Sequence, residues 1–329
     1  MASSTDTATP EQIELLYRAL LGRRPDPVAL QTQANMGVEQ VLRIILGSKE
    51  YQRRHGQPAR DAGAAMGPAE AERVVYLHIP KCGGTTLHAL LSAWYGAGVV
   101  HPERFNGLHN LSAASMTRYK VFSGHYDYYS TCLIPGRRRM ISFLRDPRER
   151  LISLYHFHRA HRPEFVRKNN LGLARWAVEL DIDAYFAHPD VRAHAGVDNS
   201  IARHFSDVPQ VPHAWQGGSD ARRPGIVEMR DQALRNLEKF DFIGFMDDYD
   251  ASVARLARVL GQPPVDRIER KQTLEGLMQN DPGMRRIEKQ VPSEDTLARM
   301  EELVVHDRTV FEAARARFAP APALQDPVS

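Results

Sequence analysis

HIPKCGGTTL, residues 78–87, follows directly on the apolar run Val74, Val75, Tyr76 and Leu77. A short apolar run ending in a glycine pair reads as a buried strand that feeds a tight turn. Gly83 and Gly84 let the backbone reverse there and bring its N–H groups close to an anion. A helix is predicted from about Thr85, with Leu87, Leu90, Leu91 and Trp94 as its apolar stripe, and its positive N-terminal end points at the same place. Lys81 adds a mobile point charge, and Thr85 or Thr86 a hydroxyl donor. Strand, anion-binding turn and helix together predict an α/β domain. The plainer alternative is a glycine turn beside a surface lysine.

The same texture continues outward from this stretch. Val74–Ile79, Lys120–Ser123, Met140–Leu144 and Phe240–Phe245 are predicted strands. Helices are predicted over Ala174–Phe186, Glu228–Leu237 and Ser252–Leu260, with one long terminal helix over Thr296–Phe318. Alternating strands and helices indicate a parallel sheet with crossover helices on its faces. Pro147 suits the first turn of the helix carrying Leu151, Leu154 and Tyr155, because its missing N–H would be unpaired there anyway. Toward the N-terminus, Ile13, Leu16, Tyr17, Leu20 and Leu21, then Val38, Val41, Leu42, Ile45 and Leu46, repeat a helical spacing on either side of GRRPDP. The expected organisation is a small all-α module over 1–58, a Gly/Ala/Pro-rich linker over 59–71 with the boundary near Pro68, the α/β domain over 72–319 and a disordered tail over 320–329.

Composition narrows the function classes. The 43 basic and 40 acidic residues give a net charge of +3, too even a balance to mark a nucleic-acid binder, so any anion site must be local. Cys82 and Cys132 are the only cysteines, too few for a disulfide framework or a four-thiolate zinc site. Neither a leader peptide nor an apolar run of membrane-spanning length is visible, and a soluble, cytoplasmic protein is expected. His156, His158 and His161 suggest a metal cluster, but the first two lie about 200° apart on a helix. Cys82, at a predicted helix start, could be a thiolate of lowered pKa or simply a small side chain that fits the loop.

In ATP-binding loops of the form G-x-x-x-x-G-K-[ST] the lysine follows the glycines; here it precedes them. PKCGGTT instead resembles the 5′-phosphosulfate loop of the sulfotransferases that use 3′-phosphoadenylyl sulfate (PAPS), especially the carbohydrate group that includes the heparan sulfate 2-O and 6-O enzymes. That resemblance implies a P-loop-like parallel sheet flanked by helices, with Lys81, Cys82, Gly83, Gly84, Thr85 and Thr86 around the donor's phosphosulfate. It also implies adenosine 3′,5′-bisphosphate (PAP) as product and no metal. The second element, MISFLRDPRERLISLY at 140–155, is similar to the family's 3′-phosphate site, in which the counterparts of Arg145 and Ser153 hold the phosphate. A guanidinium fork suits that anion. Read alone, Arg145 could equally cap its strand or pair with Asp146.

Between these motifs lies VFSGHYDYY, residues 121–129. His125 follows a strand at the rim where ligands bind in parallel sheets, and a near-neutral imidazole can take the proton of an attacking hydroxyl. The Gly-His pair resembles the segment of the catalytic histidine in the 2-O group. His109, in NGLHNLS, resembles the corresponding histidine of the 6-O group and competes for the role. DNSIARHF, residues 198–205, is similar to a family segment on the substrate side and makes Asn199 and Arg203 acceptor-binding candidates, with an ordinary helix start as the plainer reading. Arg270 and Lys271 in ERKQT suit a lid over the donor, or a solvated charge run. Residues 11–54 resemble a short helical domain of uncharacterised role (the DUF4214 type), which would give the N-terminal module a protein contact.

The expected function is transfer of a sulfuryl group from PAPS to a hydroxyl of a glycan, glycoconjugate or small molecule. Two rivals remain at this point: a nucleotide-dependent kinase or NTPase, and a non-catalytic nucleotide-binding protein.

Overall fold

The computed structural model describes residues 8–34, 36, 38, 41, 44–45, 48, 50–51, 71–210, 223–265 and 274–320. Most of the predicted linker, Arg270, Lys271 and all but the first residue of the predicted tail lie outside the described residues. The chain divides into two compact units, Met1–Ala65 and Met66–Ser329.

In the first unit, helix α1 (Pro10–Leu21) opens on a reciprocal cap: Thr9 Oγ1 accepts from Gln12 N–H at 3.3 Å and Gln12 Oε1 accepts from Thr9 N–H at 2.8 Å. It closes at Gly22, whose φ of 61° is left-handed. Helix α2 (Pro27–Gln33) is capped by Asp26. Ile13, Tyr17 and Leu21 form a small core with Val41 and Ile45.

Among its described residues the second unit holds four parallel strands, β1 (Arg73–Leu77), β2 (Val121–Gly124), β3 (Arg138–Leu144) and β4 (Phe240–Phe245), in the order β2-β1-β3-β4. Val75 pairs with Phe122 on one side and Met140 on the other. Alternate side chains serve the two faces. Val75, Leu77, Phe122, Met140, Leu144 and Phe245 pack with residues of helix α5 (Ser200–Phe205) and of the C-terminal helix, whereas Val74, Tyr76, Val121, Ile141 and Phe143 pack against α3 (Gly84–Tyr95) and α7 (Tyr249–Leu260). Burial on both faces is what an all-parallel sheet requires. The α/β fold with a parallel sheet flanked by helices is therefore the observed one.

The chain moves outward from β1 to β2, then crosses back over to β3. The crevice at the C-terminal ends of β1 and β3 is thus the switch point of the sheet, where such folds bind ligands. The 78–83 loop and Arg145 both emerge there. Helix α4 (Pro147–Arg159) starts with Pro147 at its N-terminus, as predicted.

Two predicted helices are each broken in two. The segment 174–186 becomes Gly172–Glu179 and Ile182–Ala187, because Asp181 leaves the helix and caps the second piece through Ala184 N–H at 2.8 Å. The terminal helix becomes α9 (Glu294–Leu303) and α10 (Val305–Phe318), following α6 (Ile226–Leu237) and α8 (Leu274–Asn280) in the chain. Its break at Val304 is fixed by Asn199, whose Oδ1 accepts from His306 N–H at 2.8 Å and Asp307 N–H at 3.2 Å. Among the described residues no helix is long and apolar enough to cross a membrane.

Candidate active site

Lys81 and Gly83 both adopt left-handed backbone with φ of 73°. At Gly83 that geometry suits glycine; at Lys81 a side chain carries it at a cost of about 1 kcal/mol or more. The first bond of α3 runs from Leu87 N–H to Gly83 O at 3.3 Å, so the amides of its first turn point out of the helix, with its positive end. Gly84 has a steric reason: a Cβ there would fall 1.9 Å from two ring atoms of His78.

This turn forms one wall of a cleft of about 810 Å³. Lys81, Gly83, Gly84, Thr85, Thr86, His125, Arg145 and Ser153 all line it. Two motifs more than fifty residues apart and the histidine between them therefore meet in one concavity. Glu149, Ser153, His156 and Phe157 reach it from one stripe of α4, and Met246 and Tyr249 from beyond β4.

Two cations, Lys81 and Arg145, line it together with the Glu149 carboxylate and the ion pair of Lys289 with Glu275. Among the described residues neither Lys81 nor Arg145 forms an ion pair. The alternative partner for Arg145 is already engaged: Asp146 accepts from Arg148 and Glu149 N–H through Oδ1 at 3.0 and 3.1 Å, and pairs with Arg308 of α10 through Oδ2. Arg145 is left facing the cleft. Lys81 rests its Nζ 3.9 Å from the centre of the Phe157 ring. Burial, with Arg145 adding like-charge repulsion, lowers its pKa to about 8.

His125 sits at the end of β2 with its Nδ1 3.1 Å from the carbonyl oxygen of His78. A carbonyl only accepts, so the proton lies on Nδ1 and the lone pair on Nε2. The two imidazoles stack at 4.2 Å, and Tyr76 stacks on His78 at 5.4 Å. Burial pulls the His125 pKa down to about 4; the His78 carbonyl opposes this, while Arg104 and Lys81 add to it. His125 is therefore neutral at pH 7.

A profile described as the sulfotransferase family matches residues 68–312, about three-quarters of the chain. The chain belongs to the sulfotransferase family. As a family member it is a transferase that moves sulfuryl groups. A search of the curated proteins finds no match.

Other predicted site residues of this sulfotransferase lie elsewhere. Cys82 is wholly buried behind the loop, its N–H bonded to Ile79 O at 3.2 Å, and burial pushes its thiol up to about 11. The thiolate considered from sequence is thus disfavoured. His109 occupies a single turn, Leu108–Asn110, and does not line the cleft. Neither do Asn199 and Arg203. Asn199 caps α10, and Arg203 donates to the carbonyl of Asp198 at 2.7 Å and pairs with its carboxylate. Sequence reasoning missed His78, Phe157 and Tyr249. His78 adjoins the loop motif and could have been suspected; the other two arrive from distant segments with no local signature.

Proposed function

We propose that this protein transfers a sulfuryl group from PAPS to a hydroxyl of a carbohydrate or glycoconjugate, with His125 as general base. The observation that carries this reading is the meeting of two unpaired cations, Lys81 and Arg145, with a neutral imidazole whose tautomer is held by the His78 carbonyl. The residues fit the donor: Arg145 and Ser153 would hold its 3′-phosphate, and Lys81, Gly83, Gly84, Thr85 and Thr86 its 5′-phosphosulfate.

When bound, PAPS supplies a sulfuryl group joined through oxygen to a phosphate that can leave. His125 takes the acceptor's hydroxyl proton at Nε2 as that oxygen forms its bond to sulfur. Lys81 with the amides of the first turn of α3 would stabilise the charge left on the 5′-phosphate as its bond to sulfur breaks. Stacking on His78 fixes the plane of the base, so the imidazole need not reorient as the proton moves.

The mechanism is tested with His125→Ala. Transfer to acceptor is expected to fall by about 10²-fold or more while PAP affinity, read by calorimetry, is retained. Wild-type turnover in that variant would remove His125 from the mechanism and reopen the case for His109.

A further inference from the structure

Lys81 meets the leaving phosphate in the donor reading, and its own support within the protein is an aromatic ring. Its Nζ lies 3.9 Å from the centre of the Phe157 ring, over the face that carries the negative end of the ring's quadrupole. Phe157 lies one helical turn beyond Ser153 on α4, and both line the cleft. The ring is held in place: the Phe157 carbonyl accepts from His161 Nδ1 at 3.0 Å, and the His161 ring packs edge-on against the Phe157 ring with centroids 5.0 Å apart. The end of α4 is fastened in turn, because Ala160 O accepts from Arg285 N–H at 2.7 Å and Arg162 N–H donates to Gly283 O at 2.8 Å.

The ionisable groups that face Lys81 give it no counter-charge. Arg145, from the end of β3, repels it, and a guanidinium keeps its charge at any working pH. Cys82, beside it in the loop, has its thiol pushed up to about 11 by burial. His78 and His125, from the ends of β1 and β2, and His158, from α4, are held below the ordinary histidine pKa by burial, to about 4 for His125 and about 3 for His158. From about pH 7 to 9, therefore, none of these imidazoles, the thiol or the guanidinium changes charge, whereas Lys81 does. Of the carboxylates in the cleft, Glu275 is taken by Lys289 at 2.7 Å, and among the described residues Glu149 forms no ion pair. An aromatic face suits this place better than a carboxylate: either would hold the ammonium, but the carboxylate would also repel the phosphosulfate.

We propose that Phe157 is the positioning residue of the donor lysine, its ring face holding the Lys81 ammonium at the cleft wall, free of carboxylates and ready for the donor's 5′-phosphosulfate. This rests on the donor reading above, in which Lys81 neutralises charge on the 5′-phosphate. The ring favours the ammonium over the amine and so opposes the burial that lowers the Lys81 pKa to about 8. Weakening the ring face is expected to lower that pKa further, by roughly half a unit to one unit.

The test measures PAP affinity by calorimetry from about pH 7 to 9.5, where the phosphates of PAP are already ionised. Wild-type affinity is expected to bend downward near pH 8 as Lys81 loses its proton. Phe157→Leu should move that bend to lower pH by roughly half a unit to one unit, and so should a trifluorinated phenylalanine at position 157, which keeps the ring's shape and weakens its negative face. Phe157→Tyr should keep the wild-type bend. In a Lys81→Arg background the bend should be absent, and Phe157→Leu should not restore it. A bend unmoved by either substitution would overturn the proposal. A shift with leucine but none with the fluorinated ring would also overturn it, since packing alone would then account for the effect, as would a Phe157→Leu shift that persists in Lys81→Arg. Each of these leaves PAP bound and the donor reading standing, whereas failure of the wild-type protein to bind PAP would sink that reading and this proposal with it.

Discussion

Gly84→Ala isolates the link between the loop and the base. The added methyl would sit 1.9 Å from two ring atoms of His78, where real Cβ contacts stay beyond 3.0 Å, so either the ring or the start of α3 must yield by about 1 Å or more. The ring has little room, being buried and stacked between Tyr76 and His125. Overpacking of this kind costs about 1–3 kcal/mol, and for a unit of this size each kcal/mol lowers Tm by about 2–4 °C. A drop of roughly 3–10 °C is therefore expected in scanning calorimetry. Because His125 is anchored on the His78 carbonyl, a displacement of about 1 Å should also reduce kcat/KM for sulfuryl transfer by about 10²-fold. In a His78→Ala background the same methyl meets no ring, so the stability cost of Gly84→Ala should shrink markedly in the double-mutant cycle. Gly83→Ala provides the contrast: its nearest neighbours are the flexible Met246 side chain at 2.7 Å and the Tyr249 ring at 3.0 Å, so a cost of about 1 kcal/mol or more is expected, most of it from the left-handed backbone. Wild-type Tm and transfer rate in Gly84→Ala, or a cost unchanged by removing His78, would refute the packing of the base through this loop.

Three further outcomes are expected. The pH profile of kcat/KM should be bell-shaped, rising as His125 loses its proton near pH 4 and falling as Lys81 loses its own near pH 8; Lys81→Arg should remove the alkaline limb, and a limb that persists in it would assign that ionisation elsewhere. Stability should fall on acidification from about pH 6.5 toward 4, since His125 and His101, both lowered to about 4 by burial, bind protons in the unfolded chain before the folded one; denaturant midpoints independent of pH across that window would contradict this. Asn199→Ala should cost about 1–2 kcal/mol by uncapping α10 and leave PAP affinity intact, whereas a variant that keeps its stability but loses acceptor affinity would return Asn199 to the acceptor site.

What could be read from sequence was what is locally encoded. The four strands were legible because each is a short apolar run ended by a polar motif, and the turn that carries Lys81, Gly83 and Gly84 because its glycines and lysine lie within four residues. The meeting of Arg145 with Lys81 followed only from the resemblance to sulfotransferases, since nothing local to 140–155 specifies that β3 lies beside β1. The break at Val304 was invisible because its cap, Asn199, is more than a hundred residues away. The same distance hid the engagement of Asp146 by Arg308, which frees Arg145. By contrast, the break before Ile182 has a local signal in Asp181, a good N-cap residue in the midst of an apolar pattern. His125 was favoured over His109 only through the resemblance and its place after a strand, because which histidine faces the cleft, and which carbonyl holds its tautomer, depend on contacts between distant segments.

The central claim, that the two unpaired cations hold a 3′,5′-bisphosphorylated nucleotide, is tested most directly by calorimetric titration of the wild-type protein with PAP and with ATP, each with and without magnesium. The account predicts that PAP binds at least tenfold more tightly than ATP, that magnesium leaves its affinity unchanged, and that Arg145→Ala removes the preference. Equal binding of the two nucleotides, or ATP binding that becomes dominant on adding magnesium, would contradict it.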